Sequence, residues 1–463
     1  MKKYTWIVGM IAAIGLMLAS CNSFVDDFAA DPNNPLEVPG ELLLPTAQLT
    51  GQYAVGGQIA RFTSIFMQQH AGVSRQEGAT GRYQLNENMA QETWEEQLYS
   101  GALNDLYQLR LVADAEGSNY YSGIADVYSA YLLGLTTDLF GDVPWDECFQ
   151  PTVTLTPAFQ TQEQIYDRVA GLLTSGIQKL SQAAEGKTPG GDDLVYAGDA
   201  ASWVKLANSI LARQLLHLSK TGSYDEAAIL AAASAGLSSN GENAMVNFDP
   251  ALNGQNPMYQ FDVNRNQDTR MGEFFVDLLN GLNDPRLPFC ADTAAGGVYT
   301  GSPAGIEDES VSGLGDFYVS PAAPVALFIY PEIKFIEAEV HMRAGRAGDA
   351  AMAHNAGVAA SLEFFGVDAT AAQTYVDANG AEDAGSITME KIMTQKYIAL
   401  YQQPEVWFDW RRTGMPAIQP AQPNFTSNNI PRKFLIPETE RLYNPNCASC
   451  GNETITDRVW WDQ

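Results

Sequence analysis

The sequence predicts a mainly α fold, a helical-repeat scaffold of tetratricopeptide type with long irregular loops and few short strands. Three observations carry that expectation. Apolar residues recur at intervals of three to five over long windows, the period of an amphipathic helix. These windows come in pairs separated by short turn sequences, as in helical repeats, although the repeats are too degenerate to align. Between residues 241 and 324 the period fails and Gly, Asn, Asp and Pro become frequent, so the scaffold carries an irregular insertion. Long loops of this kind hold function more often than they merely connect elements, and the ligand-facing half is expected there.

The chain begins with Lys2 and Lys3, an apolar run from Trp6 to Leu18, and Leu18-Ala19-Ser20-Cys21. A run this short, with basic residues before it and small residues after it, reads as a secretory signal and not as a membrane span. Its ending resembles the bacterial lipoprotein box, which implies lipidation of Cys21 and removal of residues 1–20. The plain alternative is an ordinary cleaved signal with a chance cysteine behind it. Each buried methylene of an acyl chain adds roughly 0.8 kcal/mol to membrane attachment. Residues 21–45 then read as a lipidated tether and docking segment, with Asp26-Asp27 close behind the cysteine and the turn-favouring Asp31-Pro32-Asn33-Asn34-Pro35 further on. Residues 46–463 read as a single α-helical domain.

Composition narrows the function classes. The chain carries 26 Lys and Arg against 55 Asp and Glu, a formal charge of -29, which becomes -31 once Lys2 and Lys3 leave with residues 1–20. Such a polyanion avoids nucleic-acid phosphates and anionic headgroups, so no nucleic-acid partner is expected and membrane attachment has to come from lipid. Apolar residues at 46% and aromatic residues at 10% suffice for a large core. No apolar segment after residue 21 is both long and uncharged enough to span a bilayer. Cys148 and Cys290 stand alone, and Cys447-Ala448-Ser449-Cys450 is a close pair. Two free thiols or a small disulfide suit that pair better than a zinc site, which lacks a second Cys or His pair.

A helix is expected from Leu42 to Gln69, then an exposed polar loop from Gly72 to Gln84 with Tyr83 as its one large aromatic. Trp94, Leu98, Leu103, Leu106, Leu109 and Val112 line a helical face, Gly117-Ser118-Asn119 interrupts it, and Ile124 to Phe140 forms the partner. A second pair spans Gln162 to Leu180 and Ala200 to Leu218, and Tyr224 to Leu237 adds a helix. Within the insertion, helical period survives only around Phe274 to Leu279. Ile329, Ile333, Ile336 and Val340 then line a helix that Gly345 terminates, and Asp349 starts another that runs to about Phe365. Ser386 is the expected cap of a further helix holding Met389, Ile392, Met393, Tyr397, Leu400 and Tyr401.

Catalytic signals are weak. His70, His217, His341 and His354 are scattered without metal-ligand spacing, and no Gly-x-Ser-x-Gly elbow occurs. Gly186-Lys187-Thr188 has half of a phosphate-loop motif, with Ser181 where a Gly is required. Carboxylates are too plentiful to nominate a glycosidase pair. No catalytic residue and no cofactor is expected. Asp138 and Asp142 offer carboxylates to a structural calcium ion, but Gly141 and Pro144 make a helix end here, and bonding to local backbone is the plainer use. Glu405, Trp407, Asp409, Arg411 and Arg412 suit a buried ion-pair network that pins the last helices.

Sugar binding needs a flat aromatic face ringed by amides, carboxylates or Arg. Two stretches supply that chemistry. One is His70 to Gln84, with Arg75 and Tyr83. The other is Asn256 to Arg265, where Tyr259 and Phe261 share a side if the chain is locally extended and Asn256 and Arg265 stand beside them. Phe317 and Tyr318 are a third candidate. Each of these aromatics has the alternative of pinning its loop to the scaffold. Trp94 falls in an apolar stripe and is assigned to packing.

Asp31 to Pro35, Asp138 to Trp145, Trp203 to Ser209, Asp284 to Pro288, Glu332 to Glu339, Gln395 to Leu400, Glu405 to Gly414, and Ile430 to Glu440 with Asn444 beyond follow one another in a telling order. Together they resemble the SusD/RagB family of Bacteroidetes outer-membrane lipoproteins, and more closely its second branch, starch-binding associating with the outer membrane. The resemblance covers nearly the whole mature chain. It implies a lipid-anchored protein on the cell surface that sits over a TonB-dependent, SusC-like β-barrel transporter as its lid and delivers an oligosaccharide or a peptide to it. Asp26-Asp27 is similar to the acidic export signals of such lipoproteins, and Asn22 in place of Asp gives no inner-membrane retention signal. Two other classes remain open: an exported hydrolase, and a helical-repeat assembly protein without a small ligand.

Overall fold

The computed structural model describes residues 38–251, 254–265 and 267–463. Cys21, Asp26-Asp27 and the Asp31 to Pro35 stretch lie outside the described residues. α1 (Gly40–Ala54), a π-helical turn (Val55–Ile59) and α2 (Ala60–Phe66) form one run that starts two residues before the first expected helical window and ends three short of its end. β1 (His70–Gly72) and α3 (Arg75–Gly81) follow. A second π-helical segment, Thr93–Leu103, feeds α4 (Asn104–Glu116), and α5 (Asn119–Phe140) returns after a two-residue turn. That turn is tight because Gly117 takes φ +69°, the left-handed stop that glycine adopts without a Cβ penalty.

α5 is apolar nearly all round, and every residue from Tyr121 to Phe140 is buried, which makes it the central helix of the first half. After it, β2 (Val143–Pro144) pairs with β3 (Phe159–Gln160). α6 (Gln162–Leu180) packs on α5, α7 (Ala200–His217) on α6, and α8 (Glu226–Ala235) on α7. The buried stripe of α6 is Ile165, Tyr166, Val169, Leu173 and Leu180, and its first turn is closed by a reciprocal capping box between Thr161 and Gln164. Asp199 and Asp225 cap α7 and α8 with their carboxylates.

The irregular stretch is a closed excursion. β4 (Ala244–Val246), near its start, pairs antiparallel with β6 (Val325–Phe328), just beyond its end. Between them lie α9 (Pro257–Arg265), β5 (Thr269–Met271), α10 (Glu273–Leu282) and α11 (Leu287–Cys290). β5 pairs with β1, His70 opposite Met271 and Gly72 opposite Thr269, so the excursion is fastened to the first helical run. α12 (Tyr330–Arg343), α13 (Ala347–Phe364), α14 (Ala369–Tyr375), α15 (Met389–Ala399), α16 (Glu405–Thr413) and α17 (Glu438–Tyr443) complete the chain. Phe335, Val358, Leu362, Ile392 and Met393 form a second buried cluster where α12, α13 and α15 meet, beside the main core.

Three local expectations change. Gly72 to Gln84 is not an exposed loop: Gly72 pairs in β1, and α3 forms although its two glycines give it poor helix propensity, because packing decides. The stretch from Asn256 to Arg265 is helical and not extended, with Pro257 in the first helical position, where its fixed φ suits a helix start. Thr388, and not Ser386, caps α15, accepting from Lys391 N–H, while Ser386 bonds Asp383.

The stretch from Glu405 to Arg412 is the centre of a buried charge network. Arg412 pairs with Glu339 (2.6 Å) and Asp409 (2.7 Å), Lys396 with Asp409 (2.7 Å), and Arg213 grips Glu332 with two bonds of 2.7 and 2.6 Å. Arg411 lies between the rings of Trp407 and Trp461, 4.2 and 4.5 Å from their centroids, and donates to the Asp138 carbonyl at 2.7 Å. Asp138 does not serve local backbone. Its Oδ1 accepts from the Tyr166 hydroxyl at 2.6 Å and from Trp461 Nε1–H at 2.7 Å, and the His217 ring sits 3.2 Å from Oδ2. Asp142 accepts from the Gln162 backbone N–H at 2.9 Å. Among the described residues no group of three or more His, Cys, Asp or Glu is arranged to hold a metal ion. Cys447 and Cys450 form a disulfide, and Cys148 and Cys290 are buried thiols.

Candidate functional site

A cleft of about 310 Å³ opens where the first helical run, the second π-helical segment and α9 meet. Both π-helical stretches border it, and Gly57 lies on its wall with φ -92° and ψ -111°, values that break the helical path. π-Helical insertions shift the face a helix presents and recur at functional sites. Here the shift brings Tyr53 and Arg61 to one recess, although both stand in a window that reads as an unbroken helix.

Phe261 and Arg265 are the two expected site residues that line this cleft. In a helix, positions two apart point to nearly opposite sides, so Tyr259 packs against the core while Phe261 faces the cleft. The Arg61 guanidinium lies 3.7 Å from the Phe261 ring centroid and donates through Nε to Glu77 at 3.1 Å. Burial pushes the Glu77 carboxyl above its ordinary pKa, against the opposing pull of Arg61. The Tyr53 hydroxyl donates to Gln260 Oε1 at 3.0 Å, and its pKa is raised by burial and then by Glu92, so it stays a donor. Gln58 ties the wall together, donating to the Met89 carbonyl at 2.7 Å and accepting from the Thr93 hydroxyl at 2.6 Å.

The other expected residues sit behind this surface. Asn256 is buried and caps α9, its Oδ1 accepting from the backbone N–H of Met258 at 2.9 Å and of Tyr259 at 3.1 Å. Arg75 donates to Asp268 Oδ2 at 2.9 Å and to the Arg265 carbonyl, so it holds the far end of the same helix. Tyr83 is buried, its hydroxyl accepting from Ala421 N–H at 3.1 Å. Phe317 stacks on Phe365 with centroids 4.4 Å apart, and Tyr318 is buried beside it. Tyr83, Phe317 and Tyr318 therefore give the cleft no contact surface. Trp94 is buried against Phe140, as its stripe implied.

Sequence reasoning missed Tyr53, Arg61, Gln76, Glu92 and Gln97 on the lining. One signal was present. Gly56-Gly57 interrupts a helical pattern, and such a glycine pair marks close packing or a break. A Cβ on Gly56 would stand 2.3 Å from the Val325 side chain. Tyr53, at 37% exposure, and Phe261 supply aromatic faces, and Gln76, Gln97 and Asn264 supply amides around them. That combination suits a polyhydroxyl ring, apolar on its faces and hydrogen-bonding at its edge.

Solved structures share this architecture. A chitin-binding protein superposes with a TM-score of 0.80 at 23% identity, over 92% of this chain and 100% of the other. A SusD/RagB family protein from Bacteroides thetaiotaomicron gives 0.77 at 23% identity, over 92% and 99%. A chitin-binding SusD homolog from Flavobacterium johnsoniae gives 0.74 at 21% identity, over 90% and 99%. The fold is thus that of the SusD-like helical proteins. The chain itself belongs to the SusD-like family described as starch-binding associating with outer membrane, whose family model matches residues 32–437. No curated protein matches the sequence significantly.

Proposed function

We propose that this protein is a cell-surface lipoprotein that captures a glycan in the cleft beside Phe261 and passes it to a TonB-dependent, SusC-like outer-membrane transporter, over which it acts as a lid. In this reading residues 1–20 are the signal, Cys21 carries the lipid, residues 21–45 form the tether, and residues 46–463 form the binding body. The observation that carries the reading is the cleft itself: two aromatic side chains and five side-chain amides share one recess in a chain whose family is described as starch-binding. Its lining is mostly groups that bind and orient, and Glu92 is the one carboxylate on it among the described residues. Two of the structural neighbours are described as chitin-binding, which favours a glycan over a peptide.

Titration calorimetry with maltohexaose and chitohexaose tests the binding step. Tyr53→Ala combined with Phe261→Ala is expected to weaken the better ligand by about tenfold or more, since each stacked aromatic contributes on the order of 1 kcal/mol. Thermal stability should change little. Undiminished binding in the double variant would move the site elsewhere.

A further inference from the structure

Basic groups are scarce in this chain and mostly paired with acids. Against 55 acids it has 26 Lys and Arg, and Arg168, Arg213, Arg286, Arg343 and Arg412 each hold a carboxylate. In the cleft the pairing is only partial. Arg61 is only 7% exposed and spends Nε on Glu77, yet neither of its terminal Nη nitrogens has a hydrogen-bond partner among the described residues. Arg265, exposed at the end of α9, feels the Glu77 carboxylate but makes no direct ion pair with a carboxylate among them. Both guanidinium groups lie near one ring, 3.7 and 5.9 Å from the Phe261 centroid. The side-chain amides of Gln76 and Asn264, on the same lining, are likewise without hydrogen-bond partners among the described residues.

The remaining wall has the opposite character. Glu92 accepts from Gln97 Nε2 at 3.3 Å, and Gln97 Oε1 is buried with no partner among the described residues. The cleft thus has a donor-rich side around Phe261 and an acceptor side on the π-helical segment.

A guanidinium fork recognises a carboxylate through two parallel N–H···O bonds, and a nearly buried one whose terminal donors are unused is already desolvated for that purpose. We propose that the cleft takes a uronate residue of an acidic oligosaccharide, its carboxylate on Arg61 and Arg265 beside Phe261 and its hydroxyls on Gln76, Asn264 and Gln97. The inference rests on the reading of this cleft as the glycan site and names the class of glycan. Glu92 rejects a carboxylate from its own wall, so the ring enters in one orientation. Because the rest of the molecule is strongly anionic, the arginine side of the cleft is also where an acidic ligand is attracted and not repelled.

The test is titration of the full-length lipoprotein in detergent with uronate tetrasaccharides (galacturonate, mannuronate and glucuronate-containing), with their methyl esters, and with maltotetraose and chitotetraose. At least one acid is expected to bind about tenfold tighter than its ester, the effect of one charge-assisted pair. Arg265→Gln, on an exposed side chain that folding does not need, should cost that acid about tenfold and its ester less than about twofold. Glu92→Gln should tighten the acid severalfold. Acid and ester bound equally, with both lost in Phe261→Ala, would overturn the carboxylate assignment and leave the glycan site standing, as would binding of the neutral oligosaccharides alone. Binding of none of the sugars would overturn both. A tetraglutamate peptide bound more tightly than every uronate would also sink the proposal.

Discussion

Asn256 holds both ends of a local problem. Its Oδ1 accepts from the N–H groups of Met258 and Tyr259, which have no partner within the first turn of α9, and its Nδ2 donates to the Ala323 carbonyl at 3.0 Å, on the far side of the excursion. Asn256→Ala removes the cap and leaves a buried carbonyl unpaired. It is expected to cost about 2 kcal/mol in urea unfolding, with Asn256→Asp intermediate because the cap survives; a change within error would show that α9 is held by packing alone. Residue types were legible here and their use was not. Asn256, Arg75, Phe261 and Arg265 were marked for a sugar by chemistry, and the structure divides them into two that line the cleft and two that hold the helix presenting it. Tyr83 went the other way, from an exposed polar loop to the core, because burial depends on what packs over a segment and not on the segment.

At the scale of elements, helix ends and contacts carry the fold. Gly56 lies where the π-helical turn after α1 passes over β6, and a methyl group there would meet Val325. Gly56→Ala is expected to cost about 1 to 3 kcal/mol, the usual price of overpacking, and Val325→Ala should restore most of it; a single variant as stable as the parent would contradict the contact. His217, at the end of α7, joins three helices, with Glu405 of α16 at 2.9 Å and Asp138 of α5 at 3.2 Å. Burial alone would lower its pKa, but Glu405 and Asp138 outweigh that and raise it to about 9. An unfolded histidine titrates near 6.5. Its contribution is therefore complete below about pH 6.5 and is lost as pH climbs through about 9. Melting temperatures of the parent and His217→Gln should differ widely at about pH 6 and converge toward about pH 9.5. A gap independent of pH would mean that the ring is neutral throughout.

For the whole molecule, charge and attachment belong together. A chain of net charge -29, rising to -31 after the proposed cleavage, gains nothing from an anionic membrane surface. Among the described residues no helix is long and apolar enough to cross a bilayer. In the proposed lipoprotein, membrane association rests on acyl chains at Cys21, and Cys21→Ala is expected to shift the protein from the membrane pellet to the soluble fraction. Retention in the pellet would mean that a protein partner or another surface holds it. The excursion between β4 and β6 and the first helical run supply two sides of the cleft, so the proposed glycan capture belongs to the assembled molecule and to no single segment.

Sequence alone was enough for the helices whose apolar stripe has one partner face. α6 and α7 begin and end within a residue of their expected limits, because the 3.6-residue period and a capping Thr or Asp are local signals. The order of its charged and aromatic stretches was also enough to point to the family. Which carboxylates pair, which aromatics are covered and where the cleft opens were decided only by tertiary structure. The pairing of β1 with β5 and the break at Gly57 bring Arg61 against Phe261 across two hundred residues of chain, and an approach between distant segments leaves no periodic mark in either one.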